Sequence, residues 1–211
     1  MSDPADPAGV DLYWLPLGAG NGGRCVRGSG RLYEALSATS GRRQRLDLYH
    51  SALVVQLDNH AYAIEMGPVW ATRDIDRGVA SEGPVGSPVL GHLRLFRYEI
   101  RCWRDGTIPD AVWAVDSPRR VSRDRALARE VLSLVPSCPV ATWGRDELRT
   151  GEMWNSNSLT SWLLARSGHD TDTIGPPAGG RAPGWVAGLI AADRDANRGD
   201  GDPADTQDSR D

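Results

Sequence analysis

The sequence predicts an α+β domain, with a central antiparallel β-sheet packed against a few helices. Three observations lead there. Two runs rich in β-branched and aromatic residues, Leu48 to Leu57 and His60 to Pro68, flank Asp58-Asn59, the composition of a tight hairpin. Leu93 to Trp103 alternates as a half-buried strand does: Phe96, Tyr98, Ile100 and Cys102 share one face, and Arg97, Glu99 and Arg101 share the other. Two further stretches keep the helical rhythm, Ser122 to Val135 and Asn155 to Gly168.

The chain of 211 residues is long enough for one self-supporting core, expected over residues 10–192. A disordered leader is expected at 1–9 and a disordered acidic tail at 193–211. Forty per cent hydrophobic and 25% charged residues is an ordinary balance for a globular protein. All 24 basic residues are Arg, and the formal net charge is −4. The tail from Asp193 carries seven Asp and three Arg, which accounts for that −4 and leaves the remainder neutral. Global charge therefore gives no case for nucleic acid or a membrane surface as a partner. No apolar run reaches the ~18 residues of a membrane span, and the Asp- and Pro-rich start does not read as a signal peptide. A cytoplasmic location is the default expectation. Three cysteines without paired spacing and four histidines without ligand spacing predict neither a disulfide framework nor a metal site, and no cofactor motif is present.

In chain order, Val10 to Leu17 is strand-like and ends at Pro16. Gly18 to Gly30 lacks a phosphate-loop fingerprint and reads as a surface loop, Arg31 to Thr39 as a short helix, and Arg42, Arg43 and Arg45 as a solvated basic linker. In the hairpin, a two-residue loop pairs Leu57 with His60 and sets Ala52 opposite Glu65. His50 then shares a face with Glu65, within diagonal reach of a hydrogen bond; a three-residue loop would separate them. Residues 70–92 read as a long Gly/Pro-rich loop, with Trp70 either over a cleft or in the core. Ala111 to Val115 is a further candidate strand. Ser122 is the expected cap of the first helix, and Pro136 its stop. Cys102 reads as a core thiol, Cys138 lies off any helix start and lacks the surroundings of a reactive thiolate, and His60, His92 and His169 read as surface residues. Trp143 to Met153 forms a charged approach, where Asp146, Glu147 or Glu152 would be surface charge or an orienter of a base. Gly184 to Ala192 is a short apolar closing segment.

The stretch Trp154-Asn155-Ser156-Asn157-Ser158-Leu159 carries the most chemistry. Asn and Ser are the residue types that cap a helix start, Leu159, Trp162 and Leu163 define a buried stripe, and Gly168 suits the left-handed end. A side chain at that start stands among unpaired N–H groups at the positive end of the helix dipole. Ser156 is either a cap or an activated nucleophile.

A His at the start of a strand, a polar residue in the next strand, and a distant Asn-nucleophile-x-x-apolar helix start resemble the circularly permuted papain-like superfamily. That group includes NlpC-type permuted amidases and lecithin:retinol acyltransferase-like proteins. The resemblance covers roughly residues 46–168 and implies a permuted papain-like fold, with Ser156 at the position where the family has cysteine. It implies a Ser156 nucleophile, His50 as general base and then acid, and Glu65 holding the imidazole. Asn155, Asn157, Trp154 and Trp70 would line the substrate side. The implied activity is that of a hydrolase or acyltransferase on an amide, ester or acyl substrate, whether small molecule, lipid or peptide. The alternative is a pseudoenzyme that keeps the cleft for binding. Serine is the weaker nucleophile of the two, because a thiol beside histidine ionises near neutral pH and a hydroxyl does not.

Overall fold

The computed structural model describes residues 8–17, 47–69, 78–108 and 110–199. Their strands are β1 (Gly9–Pro16), β2 (Asp47–Leu57), β3 (His60–Pro68), β4 (Val79–Pro84), β5 (Arg97–Arg104), β6 (Val115–Ser122) and the short β7 (Gly180–Arg181). The helices are α1 (Arg125–Leu134), α2 (Ser156–Arg166) and α3 (Trp185–Gly199). The sheet runs β4-β5-β3-β2-β1-β6, and every neighbouring pair is antiparallel. β7 lies parallel to the start of β2. The fold is α+β.

The hairpin follows from its turn. Asp58 and Asn59 both adopt left-handed backbone, with φ of 51° and 63°, as a two-residue turn matching strand twist requires. Leu57 pairs with His60 and Leu53 with Ile64, so alternation keeps His50, Ala52, Ala63 and Glu65 on one face. The other face is the main core. Val10, Leu12 and Trp14 of β1 join Leu53, Val55 and Leu57 of β2, Ile64 and Met66 of β3, and Tyr98 and Ile100 of β5 beneath the three helices. Trp14 packs on Trp185 with ring centroids 5.1 Å apart.

The second face is not a solvated one. Glu99 and Arg101, expected on the polar side of a half-buried strand, are 1% and 2% exposed. Register explains their burial. Arg101 stands directly opposite Glu65, and its guanidinium donates to Glu65 Oε1 (2.9 Å), Glu99 Oε2 (3.0 Å) and the Pro68 carbonyl (3.1 Å). Leu15, Ala52, Ala63 and Ile108 fill a small apolar cluster on the same face.

Several element boundaries differ from the expected ones. Asp124 caps α1, because its carboxylate accepts from the amides of Ala126 and Leu127; the Ser122 hydroxyl accepts from the Asp124 amide instead. Ala111 to Trp113 is a 3-10 turn, and the strand begins only at Val115. Part of the expected 70–92 loop forms the edge strand β4. α3 runs to Gly199, so the first residues of the expected tail are helical, and Asp195 accepts a hydrogen bond from the Trp162 indole (2.9 Å). His169 is buried rather than on the surface, with Nδ1 2.8 Å from the Ser167 hydroxyl. Burial pushes the Cys102 thiol up to about 11 and the Cys138 thiol well above its ordinary value, as core thiols behave. The Gly-rich 18–30 stretch, the expected helix at 31–39, the 42–45 arginines and Trp70 lie outside the described residues.

α2 is buried on all sides over Ser156 to Leu164, not along one stripe. The sheet covers one side of it and α3 the other. Short polar side chains permit that close approach: Ser158 Oγ donates to the Gly184 carbonyl and Ser161 Oγ to the Trp185 carbonyl, both at 2.7 Å. At Gly188 a Cβ would collide with the Ser158 carbonyl and the Ser161 hydroxyl. Gly188→Ala therefore tests the crossing by its sign. Helix propensity alone would stabilise α3 by up to ~1 kcal/mol, whereas overpacking is expected to destabilise the fold by ~1–3 kcal/mol in urea denaturation.

Candidate functional site

β2 loses β3 as a partner beyond Leu53 and gains β7 only at Asp47 and Leu48, so the sheet splits along Tyr49 to Ala52. Carbonyls alternate along a strand. The Leu48 carbonyl serves the Leu17 amide on the β1 side, so the Tyr49 carbonyl points into the split. α2 begins there. Asn157 Nδ2 donates to the Tyr49 carbonyl and to the Pro183 carbonyl, each at 2.9 Å, while its Oδ1 accepts from the Ser51 hydroxyl at 2.9 Å. One side-chain amide thus closes the gap and fastens the helix start to the strand carrying His50.

Asn155 is the cap. Its Oδ1 accepts from the amides of Asn157 (2.8 Å) and Ser158 (3.3 Å), and the Ser158 hydroxyl returns a contact to the Asn155 amide (3.1 Å), which completes a capping box. Asn155 Nδ2 donates to Pro183 O (2.8 Å). Ser156 is therefore the first helical residue and not the cap, which resolves one alternative left open by the sequence. Trp154 is 1% exposed and belongs to the main core, so it lines no open cleft. Both asparagines expected on the substrate side are committed to building the site.

His50 and Ser156 stand apart from their neighbours. Neither side chain has a hydrogen-bond partner among the described residues, although the Tyr49 carbonyl and the side chains of Ser51, Asn155, Asn157 and Ser158 around them all do. The Ser156 hydroxyl is nearly buried, at 4% exposure for the residue. Alternation sends the His50 imidazole to the face opposite Ser51, beside Leu15 on β1. The segments carrying the two groups meet; the hydroxyl–imidazole hydrogen bond of a resting dyad is not formed. Burial lowers the His50 pKa to about 4, so its neutral form is favoured at neutral pH.

Glu65 shares the face of His50, as the hairpin register requires, but its carboxylate is held by Arg101. Burial raises the Glu65 pKa, and the Arg101 guanidinium partly offsets that. The expected orienter thus has another partner, because β5 brings a cation directly across from it. The carboxylates of the approach loop are likewise occupied. Glu147 accepts from the Thr142 amide (2.6 Å), Asp146 from the Thr150 and Gly151 amides (2.6 and 2.9 Å), and Glu152 from the Gly184 amide (2.8 Å). The role of Asn157 was missed by sequence reasoning. Its signal was a second amide two residues after the cap, a side chain with one acceptor and two donor hydrogens that a buried helix start can use fully. Among the described residues no cluster of His, Cys, Asp or Glu could hold a metal ion.

No family model, no curated protein and no solved structure matches this chain.

Two outcomes follow from this geometry. Asn157→Leu strips three buried partners at once, so a loss of at least ~2 kcal/mol is expected in denaturant titration. For His50, the native pKa lies below the unfolded value, so the unfolded chain binds the proton first as pH falls. Stability contributed by neutral His50 is complete above about pH 6.5, declines between there and about pH 4, and changes no further below. His50→Gln should flatten that part of the stability–pH curve; an unchanged slope would refute the assignment.

Proposed function

We propose that this chain is a binding module on a permuted papain-like arrangement, in which the helix-start site keeps its architecture without efficient acyl-transfer chemistry. One observation carries the reading: the groups that a serine at position 156 would need beside it are held by other partners. The Glu65 carboxylate is paired with Arg101. The Asn157 and Ser158 amides, the natural oxyanion donors, are taken by Asn155, which leaves the Ser156 amide as the available donor of that turn. A serine hydroxyl also depends on a base that gains its proton during attack, and an imidazole near pKa 4 with no carboxylate bonded to it among the described residues is a weak one. The permuted papain-like arrangement is supported by the long-range meeting of the His50 strand with the Ser156 helix start, fastened through Asn157.

A second reading is favoured by a specific observation, the uncommitted state of Ser156 and His50 among fully committed neighbours. In it, the His50 imidazole must first cross the split from the face of β2 opposite Ser51; it then takes the hydroxyl proton as Ser156 Oγ attacks an amide or ester carbonyl, and the Ser156 amide faces the oxyanion. His50 then returns the proton to the leaving group, and water or a second acceptor releases the acyl group and restores the hydroxyl.

Labelling with a fluorophosphonate probe, read by intact mass, separates the two. No adduct is expected on the native chain at neutral or mildly alkaline pH. An adduct that disappears in Ser156→Ala overturns the binding-module reading. In Ser156→Cys, alkylation at the rate of an ordinary thiol is expected; fast alkylation abolished by adding His50→Ala would show that the site still activates a nucleophile.

A further inference from the structure

The Val85–Phe96 loop stands apart from the rest of the surface. Val89 and Leu95 are 77% and 65% exposed, and Leu90 and Leu93 are exposed beside them. Single exposed aliphatics are ordinary on protein surfaces, but four within seven residues form a patch that marks contact with something apolar. No carboxylate occurs between Pro84 and Arg97, whereas His92 and Arg94 are interspersed with the aliphatics, the His92 ring bonding back to the Val89 carbonyl (2.7 Å). Arg94 is exposed, and Arg145, also exposed, flanks the base through its bond to the Gly86 carbonyl (3.0 Å). The chain before the acidic tail is neutral as a whole, so this loop is a local basic excess.

The loop backbone is closed on itself. The Val85 amide donates to the Phe96 carbonyl (2.8 Å) and seals the neck. The amides of Leu90, Leu93 and Phe96 donate to Ser87, Leu90 and Leu93 carbonyls at 3.2, 3.0 and 2.8 Å, in two successive 3-10 turns. Such a tip can leave water without stranding those donors, the condition that a lipid environment imposes on backbone. It also offers no extended edge for a peptide strand. Its side chains are aliphatic, whereas the anchors of protein interfaces are enriched in Trp, Tyr and Arg, with Leu and Val under-represented. Lipid tails require only apolar volume, with cations at headgroup level.

We infer that the Val85–Phe96 loop docks this protein on an anionic lipid surface, with Val89, Leu90, Leu93 and Leu95 entering the acyl boundary and Arg94 and Arg145 meeting the headgroups. This is shallow attachment and needs no spanning helix; among the described residues no helix is long and apolar enough to cross a membrane. It is independent of whether Ser156 reacts.

Cosedimentation of the full chain with large unilamellar vesicles tests it, using phosphatidylcholine alone and phosphatidylcholine mixed with phosphatidylserine. Binding is expected to the mixed vesicles, weaker binding to the neutral ones, and loss with rising salt. The Val89→Ser/Leu95→Ser variant should bind the mixed vesicles at least ~10-fold less tightly, with an unchanged melting temperature because both side chains are exposed. Arg94→Glu should abolish the preference for phosphatidylserine. Binding to neither vesicle type, or binding that these substitutions leave unaltered, overturns the proposal. So does concentration-dependent self-association lost in the double variant, which would assign the patch to contact between copies.

Discussion

The carboxamide of Asn157 is the constraint on which the arrangement rests. Over Tyr49 to Ala52 β2 has neither β3 nor β7 as a partner, and an open split would leave the Tyr49 carbonyl buried without a donor. A single amide supplies that donor, a second one to Pro183, and an acceptor for Ser51. Aspartate has the shape without the donors, and leucine has neither. Unpaired buried polar groups are costly enough that this one side chain fixes where α2 starts, how deep it lies and which strand it faces.

The same economy runs along α2. A helix buried from Ser156 to Leu164 would ordinarily be apolar all round. Here Ser158 and Ser161 substitute short hydroxyls that reach carbonyls of the α3 start, and Gly188 removes the last obstacle to close approach. Polar residues that look like a reactive cluster in one dimension therefore act as fasteners in three. Ser156 and His50 are the pair of side chains at this junction that the fastening does not use, which is why the two functional readings diverge there and nowhere else.

The loop that carries the exposed aliphatics shares a frame with this junction. Val85 bridges to Trp143, and Trp143 to Trp154, two residues before Ser156. The Gly86 amide donates to Trp143 O, and the Gly144 amide to Trp154 O, both at 2.9 Å. A contact at the loop thus bears on a continuous ladder leading to the helix start. Opposite the helices, the Glu65–Arg101–Glu99 cluster stiffens the second face of the sheet and explains why β5 carries charges where an alternating strand would face water.

Much of the fold was legible in the residues themselves, for local reasons. Asp58-Asn59 tolerates left-handed backbone, so the turn, the register and the shared face of His50 and Glu65 could be read without coordinates. Asn155 before a helical rhythm announced a helix start, and the alternation around Tyr98 and Ile100 announced a strand with one core face. What lay beyond reach depended on distant partners. Nothing near Glu65 in the chain reveals that Arg101 will stand across from it, because cross-strand neighbours are chosen by sheet order and not by spacing. Nothing near Asn157 reveals a split in a strand more than a hundred residues earlier, and α3 gained its helical extension through packing on Trp162. Sequence alone determined the local conformations and the candidate pair Ser156 and His50; tertiary structure decided which polar groups were left over for chemistry, since a hydrogen bond already made to a distant partner is no longer available to a substrate.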